Sequence, residues 1–285
     1  MNSKDFIDEV NKDGRFIEEF NKNYEEFKYY QNKAVDTLNE FHRVCEKNNV
    51  KYQLAYGSLL GAIRDNGQIP WDYDIDVFVP FSEKNALITA LQKDLSTDYY
   101  FYCPEVDKKC RHVIMRLAPK GFRTEVLHVD VFFLIAVAND EKVRNEEINE
   151  IKNIASKRYD KLVRYIDEKR SLKDIIKKFI KKIRTVNYDP EKMYEKYEEL
   201  CKEHNIYEAK YLVSADSFAD DYLFPADMFK EDKLIKIDTG VFRIPLDYDE
   251  ILKIQYGDYT KIFPLEERIK EMMNAYNRLV RFAKK

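Results

Sequence analysis

The chain has 285 residues, 45% of them hydrophobic and 35% charged, with a net charge of only −3. That is enough apolar content for a sizeable core, and a charge so nearly balanced argues against a nucleic-acid binder, which would be clearly basic. The polar stretch Met1 to Phe6 is no export signal, and the longest apolar run, Val131 to Ala138, falls far short of the roughly 18 residues that span a bilayer; a cytoplasmic protein is expected.

Residues 4–48 predict one or two helices, because Phe16, Phe20, Tyr24 and Phe27, then Ala34, Leu38, Phe41 and Cys45, recur at a three-to-four spacing. Lys51 to Tyr56 reads as a short strand. Leu59 to Arg64 reads as a short helix with Ser58 as its N-cap. A Gly- and Pro-containing loop runs from Asp65 to Trp71, and Ile75 to Val79 is a second strand. Ser82 to Leu95 predicts a helix. Tyr99 to Cys103, Cys110 to Leu117 and Leu127 to Ala138 are strand candidates. Residues 140–204 are helical in pattern and rich in Lys and Glu. A hairpin is expected around Asp238-Thr239-Gly240, then helices over Asp247 to Tyr256 and Leu265 to Ala283. The fold class is α+β: a mixed sheet core flanked by helices, with a helical insertion and helical termini. The expected divisions are N-terminal helices over 1–48, a catalytic core over 49–139, a helical subdomain over 140–210, and a C-terminal hairpin with helices over 211–285.

The chemistry concentrates near the second strand. Three of the seven glycines, Gly57, Gly61 and Gly67, fall within eleven residues, and the single tryptophan, Trp71, leads into Asp72, Asp74 and Asp76. The glycines suggest a flexible loop that phosphate can approach. Residues i and i+2 of a strand share a face, so Asp74 and Asp76 project together. Two such carboxylates repel, and a divalent cation relieves them; oxygen-only ligands favour Mg²⁺ or Mn²⁺. Asp130 interrupts an otherwise apolar strand and needs a partner there. If that strand lies beside the first, it supplies a third carboxylate, with His128 on the same face. Backbone N–H groups at Gly57 and Ser58 can hold phosphate oxygens, and Arg64 offers a cation. Metal and anion cradle together suit phosphoryl transfer. Taken singly, an Asp pair at a strand start is ordinarily a turn, a Gly-Ser an N-cap, and a Trp beside Pro a core residue. Their ordered combination favours a site. Cys103, Cys110 and His112 lack zinc-knuckle spacing, and the four cysteines are expected to be buried thiols.

The string from Tyr56 through Gly57-Ser58 and Trp71-Asp72-Tyr73-Asp74-Ile75-Asp76 to Val77 resembles the LicD family of the nucleotidyltransferase-fold superfamily, which includes bacterial phosphocholine transferases and, distantly, fukutin-related protein. Leu127-His128-Val129-Asp130-Val131, Arg116 with Thr124, and the late segments Phe242 to Pro245 and Tyr256 to Tyr259 extend the likeness over about residues 35–265. Asp65 departs from the family, which often carries His or another polar residue there. The resemblance implies transfer of a phosphoalcohol unit, most simply phosphocholine, from CDP-choline or another CDP-alcohol. The acceptor would be a sugar hydroxyl of a lipid-linked saccharide or teichoic-acid-type precursor, and CMP would leave. It implies Asp74, Asp76 and Asp130 as metal ligands, with Asp130 as the candidate proton acceptor. Gly57, Ser58, Arg64, Trp71, Asp72, Arg116 and His128 would bind substrate, with Asp72 in a supporting role. Tyr222, Tyr248 and Tyr256, near Phe224 and Tyr259 in sequence, are candidates for an aromatic box around a quaternary ammonium. A nucleotidyltransferase acting from an NTP, and a non-catalytic binding member of the fold, are the readings left open.

Ser171 to Arg184 sets Lys173, Lys177, Lys178, Lys181, Lys182 and Arg184 opposite an apolar stripe of Leu172, Ile175, Ile176, Phe179, Ile180 and Ile183. The ordinary expectation is a solvated lysine face with the stripe on the core. The alternative is peripheral contact with an anionic membrane at the inner face of the cell membrane.

Overall fold

A computed structural model describes residues 1–124, 126–163, 172–214, 216 and 222–283. In chain order the elements are α1 (Ser3–Asp13), α2 (Ile17–Asn48), β1 (Gln53–Leu54), α3 (Tyr56–Leu60), a π-helical turn (Gly61–Asp65), β2 (Ile75–Pro80), a 3-10 turn (Phe81–Glu83), α4 (Lys84–Asp94), β3 (Tyr99–Tyr102), β4 (Met115–Pro119) and β5 (Val129–Val137). They continue as α5 (Glu141–Leu162), α6 (Leu172–Arg184), α7 (Pro190–Cys201), β6 (Tyr211–Ser214), β7 (Phe224–Pro225), a 3-10 turn (Ala226–Phe229), β8 (Asp232–Ile237), β9 (Gly240–Pro245), α8 (Tyr248–Tyr256) and α9 (Leu265–Ala283). The fold is α+β, as expected.

The chain divides into two compact units, one of residues 1–101, 116–131 and 227–285, the other of 102–115 and 132–226. These differ from the expected divisions at 48, 139 and 210. Three of the four boundaries fall inside β3, β4 and β5. A strand interior carries no change of composition, so a reading by composition passes over it.

In the first unit the strands run in the order β1-β2-β5-β4-β3. β1 and β2 are antiparallel, with Gln53 opposite Phe78 and Leu54 opposite Val77. The helical N-terminal region is α1 followed by one continuous α2. Asn2 caps α1 by accepting from the Asp5 N–H, with the reciprocal Asp5 contact completing a capping box. Gly14, at φ 75, ends it. Phe20, Phe27, Leu38, Phe41 and Cys45 are fully or almost fully buried along α2. That burial stabilises by about 1.5–3 kcal/mol for each large side chain and fixes the helix that backs the site. β8 and β9 pair as a hairpin from Asp232 opposite Pro245 to Ile237 opposite Gly240. Its turn is therefore Asp238-Thr239, while Gly240 is already in the strand. Gly240 is small because a Cβ there would lie 2.2 Å from the Phe242 ring.

The second unit holds α5, α6, α7 and the strands β6 and β7, which have no counterpart in the sequence reading. β6 pairs antiparallel with the later residues of β5, from Leu134 opposite Ser214 to Val137 opposite Tyr211, and β7 pairs with β6. The fully buried Arg158 organises this unit: its guanidinium donates to the carbonyls of Pro190, Lys108 and Cys110. The ordinary expectation for the basic helix fails at the four stripe positions whose side chains are described; Leu172 and Ile175 lie outside them. Ile176, Phe179, Ile180 and Ile183 of α6 are 53, 66, 43 and 56% exposed. No described helix is long and apolar enough to cross a membrane.

Candidate active site

The site is built where β1 turns into α3. Ala55 N–H donates to the Asp76 carbonyl at 3.0 Å, holding that turn against β2. The next residue, Tyr56, sits at φ 43, a left-handed conformation uncommon for a bulky side chain. Its ring lies edge-on to Phe78 at 4.9 Å. Such strain clusters where a backbone is held for function. α3 starts at Tyr56 with Ala55 as its N-cap, so Ser58 is not the cap. Its Oγ instead accepts from the Asp76 N–H at 2.9 Å, fastening α3 to the start of β2. The Gly57 and Ser58 N–H groups, in the first turn, have no intrahelical acceptor.

The glycines pack closely rather than forming a flexible loop. A Cβ on Gly61 would stand 2.6 Å from the Gly67 carbonyl oxygen, and one on Gly67 would stand 2.8 Å from the Asp238 carboxylate. Asp238, at φ 46 in the β8–β9 turn, accepts from the Gln68 N–H at 3.0 Å. From α2, the fully buried Gln31 side-chain amide donates to the carbonyls of Ile69 and Asp72. Two distant elements thus hold the segment that delivers the acids. Neither residue stood out in sequence; the only signal was the Asp-Thr-Gly turn.

Gly57, Ser58, Asp72 and Asp74 line one crevice of about 20 Å³. A Cβ on Gly57 would be 3.3 Å from Asp72 Oδ2, and Asp72 Oδ1 accepts from the Asp74 N–H at 3.3 Å. Burial and the neighbouring Asp74 push the Asp72 carboxyl up to about 7. Burial raises Asp74 too, with Asp130 adding and His128 and Arg278 opposing. Asp76 is raised well above the ordinary value, first by burial and then by Asp130, Asp74 and Asp72. The sheet sets β2 beside β5, so Asp130 joins this group from more than fifty residues away.

Asp130 behaves differently from the others. Arg116 Nε donates to its Oδ1 at 2.7 Å, and His128 Nε2 is 3.2 Å from its Oδ2. Burial pushes its carboxyl up, but the His128 and Arg116 charges and hydrogen bonds outweigh that and hold it well below the ordinary value. Its place is to carry charge beside Asp74 and Asp76. His128 is 8% exposed, and its Nδ1 has no hydrogen-bond partner among the described residues.

Neither cation expected for phosphate is free. Arg116 is committed to Asp130. Arg64 pairs with the fully buried Asp65 side chain, Nη2 to Oδ2 at 2.7 Å, with its guanidinium 5.6 Å from the Trp71 ring centroid. Asp65, the departure from the family string, is therefore the partner of Arg64. Trp71 is 4% exposed and packs on Phe6 at 5.4 Å, a core residue first. Trp71 does help wall a cavity of about 260 Å³ with Asp72, Tyr73, Asp74, Glu271, Asn274, Ala275 and Arg278. Arg278, on α9, forms no ion pair among the described residues, and its charge lowers Asp74. The sequence reading passed over it because α9 read only as a closing helix.

The tyrosines divide between the units. Tyr222 stands 6.1 Å from Phe224 in the second. Tyr248 and Tyr256 lie on α8 in the first, where Lys233 Nζ sits 4.4 Å over the Tyr248 ring and Tyr259 donates to Asp249 at 2.6 Å. All four cysteines are buried free thiols, as expected. Among the described residues, only Glu147, Glu203 and His204 bring three metal-ligating atoms within 4.8 Å of one another. Asp74, Asp76 and Asp130 stand further apart, with Asp130 drawn onto Arg116 and His128.

Residues 49–161 match the family model described as LicD/FKTN/FKRP, nucleotidyltransferase domain. The lipopolysaccharide cholinephosphotransferase LicD of Haemophilus influenzae is 31% identical over 121 residues, covering 39% of this chain and 44% of that protein. Uncharacterized proteins of Rickettsia prowazekii and Rickettsia typhi are each 45% identical over 40 residues, 14% of this chain and 15% and 13% of theirs. The chain thus spans less than half the length of these curated relatives.

Proposed function

We propose, from the match of residues 49–161 to the LicD/FKTN/FKRP nucleotidyltransferase domain, that the protein is a metal-dependent phosphotransferase of the LicD family. It moves a phosphoalcohol unit, phosphocholine first among them, from a CDP-linked donor to a sugar hydroxyl of a cell-surface glycan or teichoic-acid-type precursor, releasing CMP. The observation that carries this reading is the charge balance of the site. Asp72, Asp74 and Asp76 carry carboxyls raised by burial and neighbouring carboxylates, whereas Arg116 and His128, which also temper Asp76 and Asp74, hold only Asp130 below its ordinary value.

That donor set fits a hard divalent cation. It offers oxygens alone, and burial with neighbouring carboxylates raises Asp74 and Asp76, a cost that a cation would remove. Asp74 and Asp76, with Asp130 beside them, would hold Mg²⁺ or Mn²⁺, which when bound supplies positive charge to the phosphoryl oxygens. The chain's own residues do the rest. The unbonded N–H groups of Gly57 and Ser58 receive donor phosphate oxygens. Arg278 faces the cavity as an uncommitted cation, and Asp72 braces the turn that aims Asp74. The similarity to the Haemophilus protein supports choline as the alcohol, and a LicD-type acceptor would be lipid-linked.

Purified protein incubated with Mg²⁺ and a panel of CDP-alcohols tests the reading. CMP should appear with CDP-choline, fail without an acceptor glycan, and stop when EDTA is added. Pyrophosphate from an NTP, with no CMP from any CDP-alcohol, would overturn it in favour of nucleotidyl transfer.

A further inference from the structure

Helix α6 is mounted the wrong way round for a globular protein. At about 100° per residue, positions 176, 179, 180 and 183 fall within one arc of roughly 100°, and position 181 falls nearly opposite. Lys181, on that opposite side, bonds Asp160 of α5 at 3.0 Å. At the helix end, Lys161 of α5 donates to the carbonyls of Thr185 and Val186 at 2.8 and 2.9 Å. The polar back of α6 is thus the side tied to the second unit. Its apolar front is exposed, with Phe179 at 66% and Ile183 at 56%, and Val186 continues it at 64%.

We infer that this front is a docking surface for an anionic lipid bilayer. The argument is one of complementary chemistry. Leu172–Arg184 carries six basic residues against one acid, although the chain as a whole is at −3. By position, Lys182 and Arg184 flank the apolar arc on its two sides, and both are exposed. Long basic side chains at the edge of an apolar stripe reach up to lipid phosphates while the stripe enters the acyl boundary. A nucleic acid would satisfy the charges and leave Phe179 and its neighbours in water. A second copy of this helix would cover the stripe but set two basic rims against each other. An anionic membrane satisfies both halves at once. The inference stands apart from the transfer reaction, since none of its residues belongs to that site.

The test is co-sedimentation of the full chain with vesicles of phosphatidylcholine alone and with added phosphatidylglycerol. Binding is expected only to the anionic vesicles and should fall in about 0.5 M salt, where charges are screened beyond a few ångströms. Lys182→Gln and Arg184→Gln should each weaken it roughly fivefold. Phe179→Ser with Ile183→Ser should abolish it without lowering the melting temperature, because both side chains are already exposed. If that pair does lower the melting temperature, Ile176→Ser serves as the second variant. Equal binding to neutral vesicles, undiminished binding by the serine variants, or a wild-type dimer that Phe179→Ser dissociates would each overturn the inference.

Discussion

The two units each bury charge, and they resolve it in opposite ways. In the second, one guanidinium is surrounded by acceptors that have no charge of their own: Arg158 gives its protons to the carbonyls of Lys108, Cys110 and Pro190. Both of its terminal nitrogens are met by backbone carbonyls, and only Nε stays without a partner among the described residues. In the first, four carboxylates converge from two strands and the turn before them; among the described residues the cationic side chains hydrogen-bonded there, Arg116 and His128, bond Asp130, while burial and neighbouring acids keep Asp72, Asp74 and Asp76 raised. Buried charge that the fold satisfies is architecture. Buried charge that it leaves in excess is a demand for something from outside.

The largest test of that contrast replaces the uncompensated acids. On the proposed metal-dependent reading, Asp74→Asn and Asp76→Asn should each reduce CMP release by about 1000-fold or more, since the metal they would hold would supply several kcal/mol of transition-state stabilisation. Stability should move the other way. Both carboxyls are raised in the folded protein, so folding favours their protonated form. That contribution is full below the ordinary value of 3.8 and is lost as pH rises through the raised one. In EDTA at pH 7 the Asp76→Asn protein should melt at or above the wild-type temperature, and the advantage should vanish in acid. Thermal melts across pH check this; an Asn variant that unfolds at neutral pH would make Asp76 architecture after all.

The complementary substitutions act on stability. Arg158→Met strands three carbonyls and should cost about 3–5 kcal/mol, read by urea unfolding, while turnover per folded molecule is unchanged. Arg116→Ala leaves Asp130 in a pocket where both side chains are 14% exposed and should cost a similar amount, with loss of activity as well. Arg64→Ala belongs with these. Because Arg64 is spent on Asp65, the variant should lower the melting temperature with little change in KM. Arg278→Ala should do the reverse: KM for the CDP-alcohol rises about tenfold, and stability stays within about 0.5 kcal/mol, as for other exposed positions.

How much of this could be read from the sequence follows the same division. The alternation Asp74-Ile75-Asp76-Val77 announced a strand with acids on one face, and Asp130 in an apolar run announced its neighbour, because period and burial are local properties. Which cations are free is not local. Arg64 and Arg116 looked available only because their partners are decided by three-dimensional packing, and Arg278 looked idle because α9 meets the site from the far end of the chain. Ser58 was misread for a related reason: a hydroxyl before a short apolar run has the composition of an N-cap, but here it is taken by the Asp76 N–H across the sheet. The strands β6 and β7 went unseen because four and two residues are too few for a period to show. In α6 the period was legible and its orientation was not, since a helical wheel says which residues share a face but not which way the face points.

The smallest expected effect probes how the acids are held. Asp238 is remote in sequence, yet its carboxylate accepts from the Gln68 N–H and lies against Gly67. Asp238→Ala removes one hydrogen bond to a charged acceptor and should cost about 1.5–3 kcal/mol at most. If the segment from Gly67 to Asp72 is held chiefly by Gln31, activity should fall only a few-fold, because Asp72 and Asp74 keep their positions. Gly67→Ala separates the two possibilities. It retains Asp238 but forces a methyl to within 2.8 Å of its carboxylate, so the turn must shift while the bonding groups remain. A loss in kcat greater for Gly67→Ala than for Asp238→Ala would mean that the acids depend on the path of the turn. The opposite order would assign the positioning to the Asp238 hydrogen bond itself and make the β8–β9 hairpin part of the catalytic frame.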